Sequence, residues 1–274
     1  RPALHRLIMH TTRRRWLGSL LLAATLGLSA CSAIAPSVDP AARAALAPTG
    51  TLRVGVYMGS PTSLVLTRTG ERAGVAHDLG RDLAGHLGVP VEVVEFARLA
   101  LVLEALKAGK VDLTFTNATE SRARDVDFTP PLVRLELGYL APQGSAITSV
   151  EQVDRAGVRV GVSEGSTSQG VLTRQFKQAK VVPAASLKVA QQMLQQGQIE
   201  VFATNKGILF EMADELAGSQ VLPGRWGFEN LAIAIPKGRT AGMPLVEAFA
   251  RQVQADGRLQ AMLTRAGLRG TARD

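Results

Sequence analysis

Residues 111–131 read V-D-L-T-F-T-N-A-T-E-S-R-A-R-D-V-D-F-T-P-P, and the rest of the chain is organised around this stretch. Residues 111–116 are an apolar run typical of a β-strand. The run stops at Asn117, and small polar residues and Arg122 follow. Ligands of open α/β sheets lie just past the carboxyl ends of strands, and a guanidinium can hold a carboxylate or phosphate through two parallel hydrogen bonds. The stretch therefore predicts a binding site for an anionic group.

The pattern on both sides of this stretch predicts two α/β units with parallel strands and crossover helices. Extended runs at 133–141 and 226–235 are expected to cross between the two units, and 244–266 is expected to be mainly helical and to pack on the first. The expected strands are 52–57, 91–96, 111–116, 158–163, 181–182 and 200–204; the expected helices are 76–87, 99–108, 168–177, 187–196 and 206–217.

The basic charge of the chain is concentrated in a predicted export signal at residues 1–30. The formal charge of the 274 residues is +8, but residues 1–30 carry five arginines and no acids, so the remainder carries only +3. An arginine cluster at 13–15 precedes a Leu/Ala-rich run at 16–30 that is short for a membrane span. Met9 is a candidate start, which would leave residues 1–8 upstream of it. The nucleic-acid partner that the raw charge suggests is thus excluded.

The single cysteine of the chain, Cys31, follows Leu28-Ser29-Ala30. This pattern resembles the bacterial lipobox, in which the cysteine becomes the lipidated first residue. The prediction is a lipid anchor on Cys31 that holds an exported, periplasmic protein to a membrane, followed by an Ala/Pro/Ser-rich tether to residue 49. One cysteine allows no intramolecular disulfide.

Enzymatic motifs are weak in this sequence. Residues 161–165 read G-V-S-E-G and follow a predicted strand, as in the nucleophile elbow of hydrolases. That chemistry needs a histidine after the serine, and no histidine follows Ser163. The sequence also lacks a phosphate-binding loop, a dinucleotide fingerprint and a Cys/His cluster. We therefore expect no catalytic residue, no metal and no cofactor.

The pattern T-x-x-R followed by V-D-F-T-x-P resembles the signature of the family-3 extracellular solute-binding proteins, the polar amino-acid receptors of ABC importers. In that family the arginine grips the ligand carboxylate, which implies this role for Arg122. The threonine of the motif corresponds to Thr119, and a further pocket threonine corresponds to Asn117. The resemblance extends over about 50–267. It implies a type II periplasmic-binding-protein fold with two Rossmann-like lobes joined by two extended crossovers: residues 50–140 plus 229–274 as lobe 1 and 141–228 as lobe 2.

The resemblance also implies ligand contacts from the second lobe. Gly165-Ser166-Thr167 resembles the glycine turn of the family that donates hydrogen bonds to the ligand carboxylate. A turn that enters a helix also presents free N–H groups, although Ser166 or Thr167 could equally be an ordinary helix cap. Tyr57, at the end of the first strand, could form an aromatic wall of the site or simply pack in the core.

Asn205 departs from the family pattern. It follows the strand expected at 200–204, where relatives usually carry an aspartate that pairs with the ligand ammonium. An amide can hydrogen-bond an ammonium but cannot neutralise it. This difference favours a carboxylate without an amine, although Glu164 could supply the missing charge and Asn205 could be only a helix cap.

The sequence therefore predicts a lipid-tethered, monomeric receptor that captures a small carboxylate, an amino acid or an amine-lacking organic acid. The receptor would close around its ligand by hinge motion and deliver it to the permease subunits of an ABC importer. One alternative is a periplasmic dehydratase of the cyclohexadienyl type on the same fold, with Glu164 as general acid. The other is a ligand-sensing module that acts in trans.

Overall fold

The computed structural model describes residues 38–272, and its helices and strands alternate as the sequence predicts. Within these residues, no helix is both long and apolar enough to cross a membrane. The helices are α1 Pro40–Leu46, α2 Val75–Leu87, α3 Leu99–Lys107, α4 Glu120–Ala123, α5 Thr167–Gln175, α6 Leu187–Gln195, α7 Lys206–Glu215, α8 Met243–Ala255 and α9 Arg258–Arg265. The strands are β1 Leu52–Tyr57, β2 Val65–Leu66, β3 Arg72–Ala73, β4 Val91–Phe96, β5 Thr114–Asn117, β6 Val126–Phe128, β7 Val133–Ala141, β8 Arg159–Ser163, β9 Lys180–Ala184, β10 Val201–Asn205, β11 Gln220–Val221 and β12 Gly227–Pro236, and a 3-10 turn covers Val150–Gln152.

The first lobe is built on the parallel pair β1–β4, in which Leu52 lies opposite Val91 and Tyr57 lies opposite Phe96. Helix α2 covers one face of this pair. Leu79, Leu83 and Leu87, which the i, i+4, i+8 spacing places on one face of this helix, are fully buried in the lobe 1 core. Gly80 lies on the same helix, where an added Cβ would come within 2.2 Å of a methyl group of the strand below. The helix can therefore approach the sheet closely only because a glycine lies there.

A buried carboxylate near the start of the organising stretch, 111–131, holds this stretch in lobe 1. Asp112 is fully buried and accepts hydrogen bonds from Arg53 Nη2 at 2.7 Å and Arg239 Nη1 at 2.6 Å. Strand β5 begins only at Thr114, three residues later than expected, and ends at Asn117. A buried carboxylate needs such partners, so Asp112 ties the start of the stretch to β1 and to the segment before α8.

The second lobe repeats the α/β pattern. Strands β8 and β9 are parallel, from Arg159 opposite Lys180 to Ser163 opposite Ala184, and β10 lies parallel to β8 on its other side. Val160 and Val201 are fully buried in the core of this lobe, as expected for parallel strands covered on both faces.

Strands β7 and β12 connect the lobes. They are antiparallel, with Gly227 opposite Leu137 and Leu231 opposite Val133. β12 also pairs with β5 of the first lobe, and β7 pairs with β10 of the second, so one sheet continues from lobe to lobe. The lobe boundaries at 140/141 and 228/229 fall inside these strands, and that division remains a proposal.

The C-terminal region forms two helices where one mainly helical segment, 244–266, is expected. The break lies at Gly257, whose φ of +83° is in the left-handed region that favours glycine. Val246, Phe249 and Val253 of α8 lie in the lobe 1 core. The expected packing of this segment on the first lobe is therefore seen.

The structure corrects part of the tether expected at 31–49. Helix α1 begins after Asp39, whose side chain accepts a hydrogen bond from Ala41 N at 3.0 Å, and Pro40 occupies its first position. Leu46 is fully buried in the lobe 1 core. These capping and packing interactions outweigh the loop-like composition of the segment. Cys31 and the export signal at 1–30 lie outside the described residues.

Candidate functional site

The carboxyl ends of strands from both lobes meet at one cavity. β1 ends at Tyr57, β8 ends at Ser163 and β10 ends at Asn205, and these three residues line the cavity. Its volume is about 30 Å³, enough for about two water molecules. Five of the seven residues expected at the ligand site line it: Tyr57, Arg122, Ser166, Thr167 and Asn205.

Arg122 is held against the end of the organising strand. Its Nη1 donates hydrogen bonds to Thr116 Oγ1 at 3.1 Å and to the Asn117 carbonyl oxygen at 3.0 Å. No carboxylate of residues 38–272 lies within 4.0 Å of its guanidinium nitrogens. Burial lowers the pKa of Arg122, although nearby Glu229 and Tyr57 oppose that shift. The side chain is thus a positioned, largely desolvated cation with hydrogen-bond donors left for a ligand carboxylate.

Asn117 and Thr119, both expected at the ligand site, are not among the residues that line the cavity. The Asn117 side chain is buried, and its Oδ1 accepts a hydrogen bond from Asn230 N of β12 at 2.9 Å. Thr119 caps α4, and its Oγ1 accepts from Arg122 N at 3.2 Å. Both residues support Arg122 and its surroundings. Thr116, which the sequence analysis did not single out, lines the cavity instead.

Ser166 and Thr167 lie at the start of α5, at the opposite side of the cavity. Ser166 is the N-cap, and its Oγ accepts a hydrogen bond from Gln169 N at 3.1 Å. Gly165 precedes it with a φ of +73°, in the left-handed region. The expected glycine turn that enters a helix is therefore present, and the capping role does not remove either residue from the cavity.

Asn205 is both a helix cap and a cavity residue. Its Oδ1 accepts a hydrogen bond from Ile208 N of α7 at 3.1 Å, and its Nδ2 donates to Glu229 Oε2 at 3.0 Å. Both Asn205 and Glu229 are buried and line the cavity. The amide is thus oriented by the helix end so that its donor faces a carboxylate.

Glu229 is the functional candidate that the sequence reasoning missed. It lies on β12, which was read only as a crossing strand, and it is 9% exposed. Burial raises the pKa of Glu229, against the opposing effects of Arg122 and of the Asn205 hydrogen bond. Among the described residues, no cation lies within 4.0 Å of its carboxylate oxygens. The only signal in the sequence was an acidic residue on the same face of an apolar strand as Leu231; the structure shows that both line the cavity.

Tyr57 and Glu164 were both considered as ligand-site residues, and only Tyr57 lines the cavity. Tyr57 is buried beside the cavity, and that burial raises the pKa of its hydroxyl. Glu164, considered as a source of negative charge and as a general acid, does not line the cavity. Its Oε2 instead forms an ion pair with Arg98 Nη2 at 2.7 Å, and its side chain is half exposed. Its charge is therefore already matched across the cleft by an arginine of the first lobe.

Two α/β lobes joined by paired crossing strands, with a cation and a carboxylate at the cavity between them, define a type II periplasmic binding protein. The chain belongs to the bacterial extracellular solute-binding proteins, family 3, whose sequence model matches residues 52–267. This match confirms the resemblance on which the sequence analysis relied.

Similar proteins are consistent with that assignment. The chain is 27% identical over 194 residues to the ABC transporter glutamine-binding protein GlnH of Bacillus subtilis (strain 168), covering 69% of this chain and 71% of that protein. It matches the solute receptor for L-cysteine of Neisseria gonorrhoeae with 28% identity and a TM-score of 0.73, over 82% of this chain and 92% of that one. It also matches an ancestral amino acid-binding protein, AncCDT-1, described as a precursor of cyclohexadienyl dehydratase, with 26% identity and a TM-score of 0.70 over 81% and 97% of the two chains.

The family assignment places the chain among extracytoplasmic solute-binding proteins of amino-acid ABC transporters, whose partners are a small-molecule ligand and permease subunits. The relatives are binding proteins of transporters, in agreement with the expectation that this chain is not an enzyme. The dehydratase alternative is not favoured, since the match to a dehydratase precursor is to an amino acid-binding protein.

Proposed function

We propose that this protein captures a zwitterionic amino acid and delivers it to an ABC importer. The observation that carries the proposal is the pair of charges at the cavity. Arg122 and Glu229 both line it, yet their charged groups are more than 4.0 Å apart and neither is neutralised by another described residue within that distance.

Buried charges without partners are costly, and a ligand that pairs with them recovers that cost. A ligand carboxylate would accept hydrogen bonds from the free donors of Arg122. A ligand ammonium would donate to Glu229, whose other partner is the Asn205 amide. Only a molecule that carries both groups matches both charges, and an α-amino acid is the simplest such molecule.

Glu229 changes the interpretation of Asn205. The expectation of an amine-lacking organic acid depended on the absence of an acid at the end of β10. The structure supplies a carboxylate from β12 that contacts the Asn205 side chain at 3.0 Å. We therefore favour the amino acid of the two ligand classes considered. The glutamine and L-cysteine named for two relatives belong to this class.

Ligand binding by the purified protein tests the proposal. Thermal shift and titration calorimetry would compare amino acids with their deaminated acids and with their amides, which lack one charged group each. We expect saturable binding of amino acids only, abolished in Arg122→Ala. Saturable binding of deaminated acids with equal affinity would instead support the amine-lacking ligand. If no carboxylate binds and Arg122→Ala changes nothing, the proposed function fails.

The lipid anchor and the transport role need separate tests. We propose that Cys31 carries the lipid and that the mature protein is a monomer anchored to a membrane. Cys31→Ser should then release the protein into the soluble extracytoplasmic fraction, and light scattering of that soluble form should give the mass of one chain. Loss of uptake of the identified ligand in cells lacking the protein would support transport, whereas unchanged uptake would favour the sensing alternative.

A further inference from the structure

Arg98 is a second arginine at the ligand cavity. It lies between the end of β4 and the start of α3, where it occupies the N-cap position. Since Phe96 of β4 pairs with Tyr57 of β1, Arg98 follows the same edge of the sheet at which Tyr57 meets the cavity. It lines that cavity together with Arg122 and Glu229.

The guanidinium of Arg98 is only partly satisfied by protein groups. Its Nη2 forms the ion pair with Glu164 Oε2 across the cleft at 2.7 Å. Its Nε is inaccessible to solvent and has no hydrogen-bond partner; it is the one buried side-chain nitrogen or oxygen in that condition among residues 38–272. Buried donors without acceptors are rare and costly, and each one calls for a physical explanation. A ligand oxygen in the cavity cannot reach Nε directly, but it could pair with the terminal nitrogens of the same guanidinium, whose only charged partner among residues 38–272 is Glu164.

The remaining lining of the cavity restricts the ligand side chain further. Glu229 is the only carboxylate among the described residues that line it, and the proposed function assigns it to the ligand ammonium. A cationic side chain would therefore find no free carboxylate, because Glu229 holds the ligand ammonium and Glu164 is already paired with Arg98. A wholly apolar side chain would find partners such as Leu99, Leu187 and Ile208 but would leave the Arg98 donor unmatched.

We infer that Arg98 is a specificity-determining residue that recognises an oxygen acceptor at the end of the ligand side chain. The ligand is thus an amino acid whose side chain ends in a carboxylate or a carboxamide. This inference rests on the proposed function, in which Arg122 and Glu229 hold the two charged groups at the α-carbon. Arg98 adds the third point of contact.

The contrasting explanation is that Arg98 only ties the lobes together through Glu164. Three variants separate these roles. Arg98→Met removes every donor and keeps an unbranched side chain out to about the position of Nε, and Arg98→Lys keeps the charge without the planar donor group. Glu164→Gln removes the ion pair and leaves Arg98 in place. Each variant and the wild-type protein would be titrated with glutamate, glutamine, norvaline and lysine.

If Arg98 recognises the side chain, the wild-type protein prefers glutamate or glutamine over norvaline by at least about 10-fold. Arg98→Met should lose that preference with little change in norvaline affinity, and Arg98→Lys should lose most of it for glutamine. Glu164→Gln should keep the preference. The comparison of glutamate with glutamine identifies whether the acceptor is charged or neutral.

Three outcomes overturn the inference. If Arg98→Met and Glu164→Gln weaken all ligands equally, Arg98 acts only as an inter-lobe tie. If the wild-type protein prefers norvaline or lysine, the side chain is not read by Arg98, although an amino-acid receptor remains. If none of the four ligands binds, the inference fails, and the proposed function fails with it only when the wider set of amino acids does not bind either.

Discussion

Replacing Glu229 by glutamine removes the buried negative charge of the cavity and nearly keeps its shape. The glutamine can still accept a hydrogen bond from Asn205 Nδ2, which lies 3.0 Å from Glu229 Oε2. The change therefore isolates the charge that we assign to the ligand ammonium. A hydrogen bond to a charged group contributes about 1.5–3 kcal/mol. We expect an amino-acid ligand to bind about 10- to 150-fold more weakly to the variant.

The same substitution should stabilise the protein in the absence of ligand. Burial raises the pKa of Glu229 in the folded state, so the folded protein holds this proton more tightly than the unfolded chain does. The stability associated with that proton is fully present below the unfolded pKa, about 4.3 for a glutamate, and is lost as the pH rises through the folded pKa. Glu229→Gln removes this loss and should raise the melting temperature at neutral pH.

The assay combines calorimetric titration at neutral pH with thermal unfolding from pH 4 to pH 8 (approximate limits set by the ordinary glutamate pKa). Glu215→Gln is a matched control, because it removes one carboxylate from the exposed face of α7, away from the residues that line the cavity. Equal affinity of Glu229→Gln and wild type for the amino acid would refute the assignment of the ammonium. A lower melting temperature without ligand would refute the reasoning from desolvation.

Three further predictions test the framework around the site. Asp112→Ala leaves two partly buried arginines without their carboxylate and should lower the free energy of unfolding by about 3–5 kcal/mol, measured by urea denaturation. A Cβ on Gly165 would lie 2.7 Å from Ala100 Cβ across the cleft, so the two lobes are already close at this point. Ala100→Leu should overpack the closed form at a cost of about 1–3 kcal/mol and weaken ligand binding about 5- to 150-fold with little change in stability. Ala100→Gly is the control, and tighter binding by Ala100→Leu would contradict the contact. Lys206 donates a hydrogen bond to Glu136 and lowers the pKa of that carboxyl. Glu136 therefore contributes stability that is present above its unfolded pKa and is lost as the pH falls through its folded pKa. Glu136→Gln should make the free energy of unfolding fall less steeply at acidic pH, and an unchanged pH dependence would contradict this.

Local sequence rules predicted the parts of the site that depend on strand ends. Arg122 follows the strand of the organising stretch, and Ser166 follows a glycine turn; both line the cavity. The signal was local in each case, because the type of residue and its place after an apolar run are visible within about ten residues. The same reasoning placed Asn205 directly after the strand expected at 200–204, and the structure shows it as the last residue of β10 with the cap and the cavity contact together.

Contacts made by partners far apart in the sequence were not predictable in this way. The Asn117 side chain was expected to bind ligand, but its Oδ1 accepts from the backbone of Asn230, more than one hundred residues later. Leu46 was expected in a tether, and it is buried by the packing of the C-terminal helix α8 and of strands that come later in the chain. Glu229 reaches the cavity because β12 pairs with β5 and β7 at once. Its neighbours in sequence do not reveal that pairing.

The two cavity charges also supply a reason for ligand-dependent closure. Bringing the lobes together removes water from Arg122 and Glu229, which disfavours the closed arrangement unless both charges are matched. A ligand shifts an open–closed balance only by its preference for one form. Arg122 and Glu229 both fall in the range expected for lobe 1, so that preference comes from added contacts with lobe 2 residues that line the cavity, such as Ser166 and Thr167. The cavity volume of about 30 Å³ holds about two water molecules, less than such a ligand requires. Arg98, whose Nη2 reaches Glu164 across the gap, makes a contact between the lobes that any change in their spacing would alter.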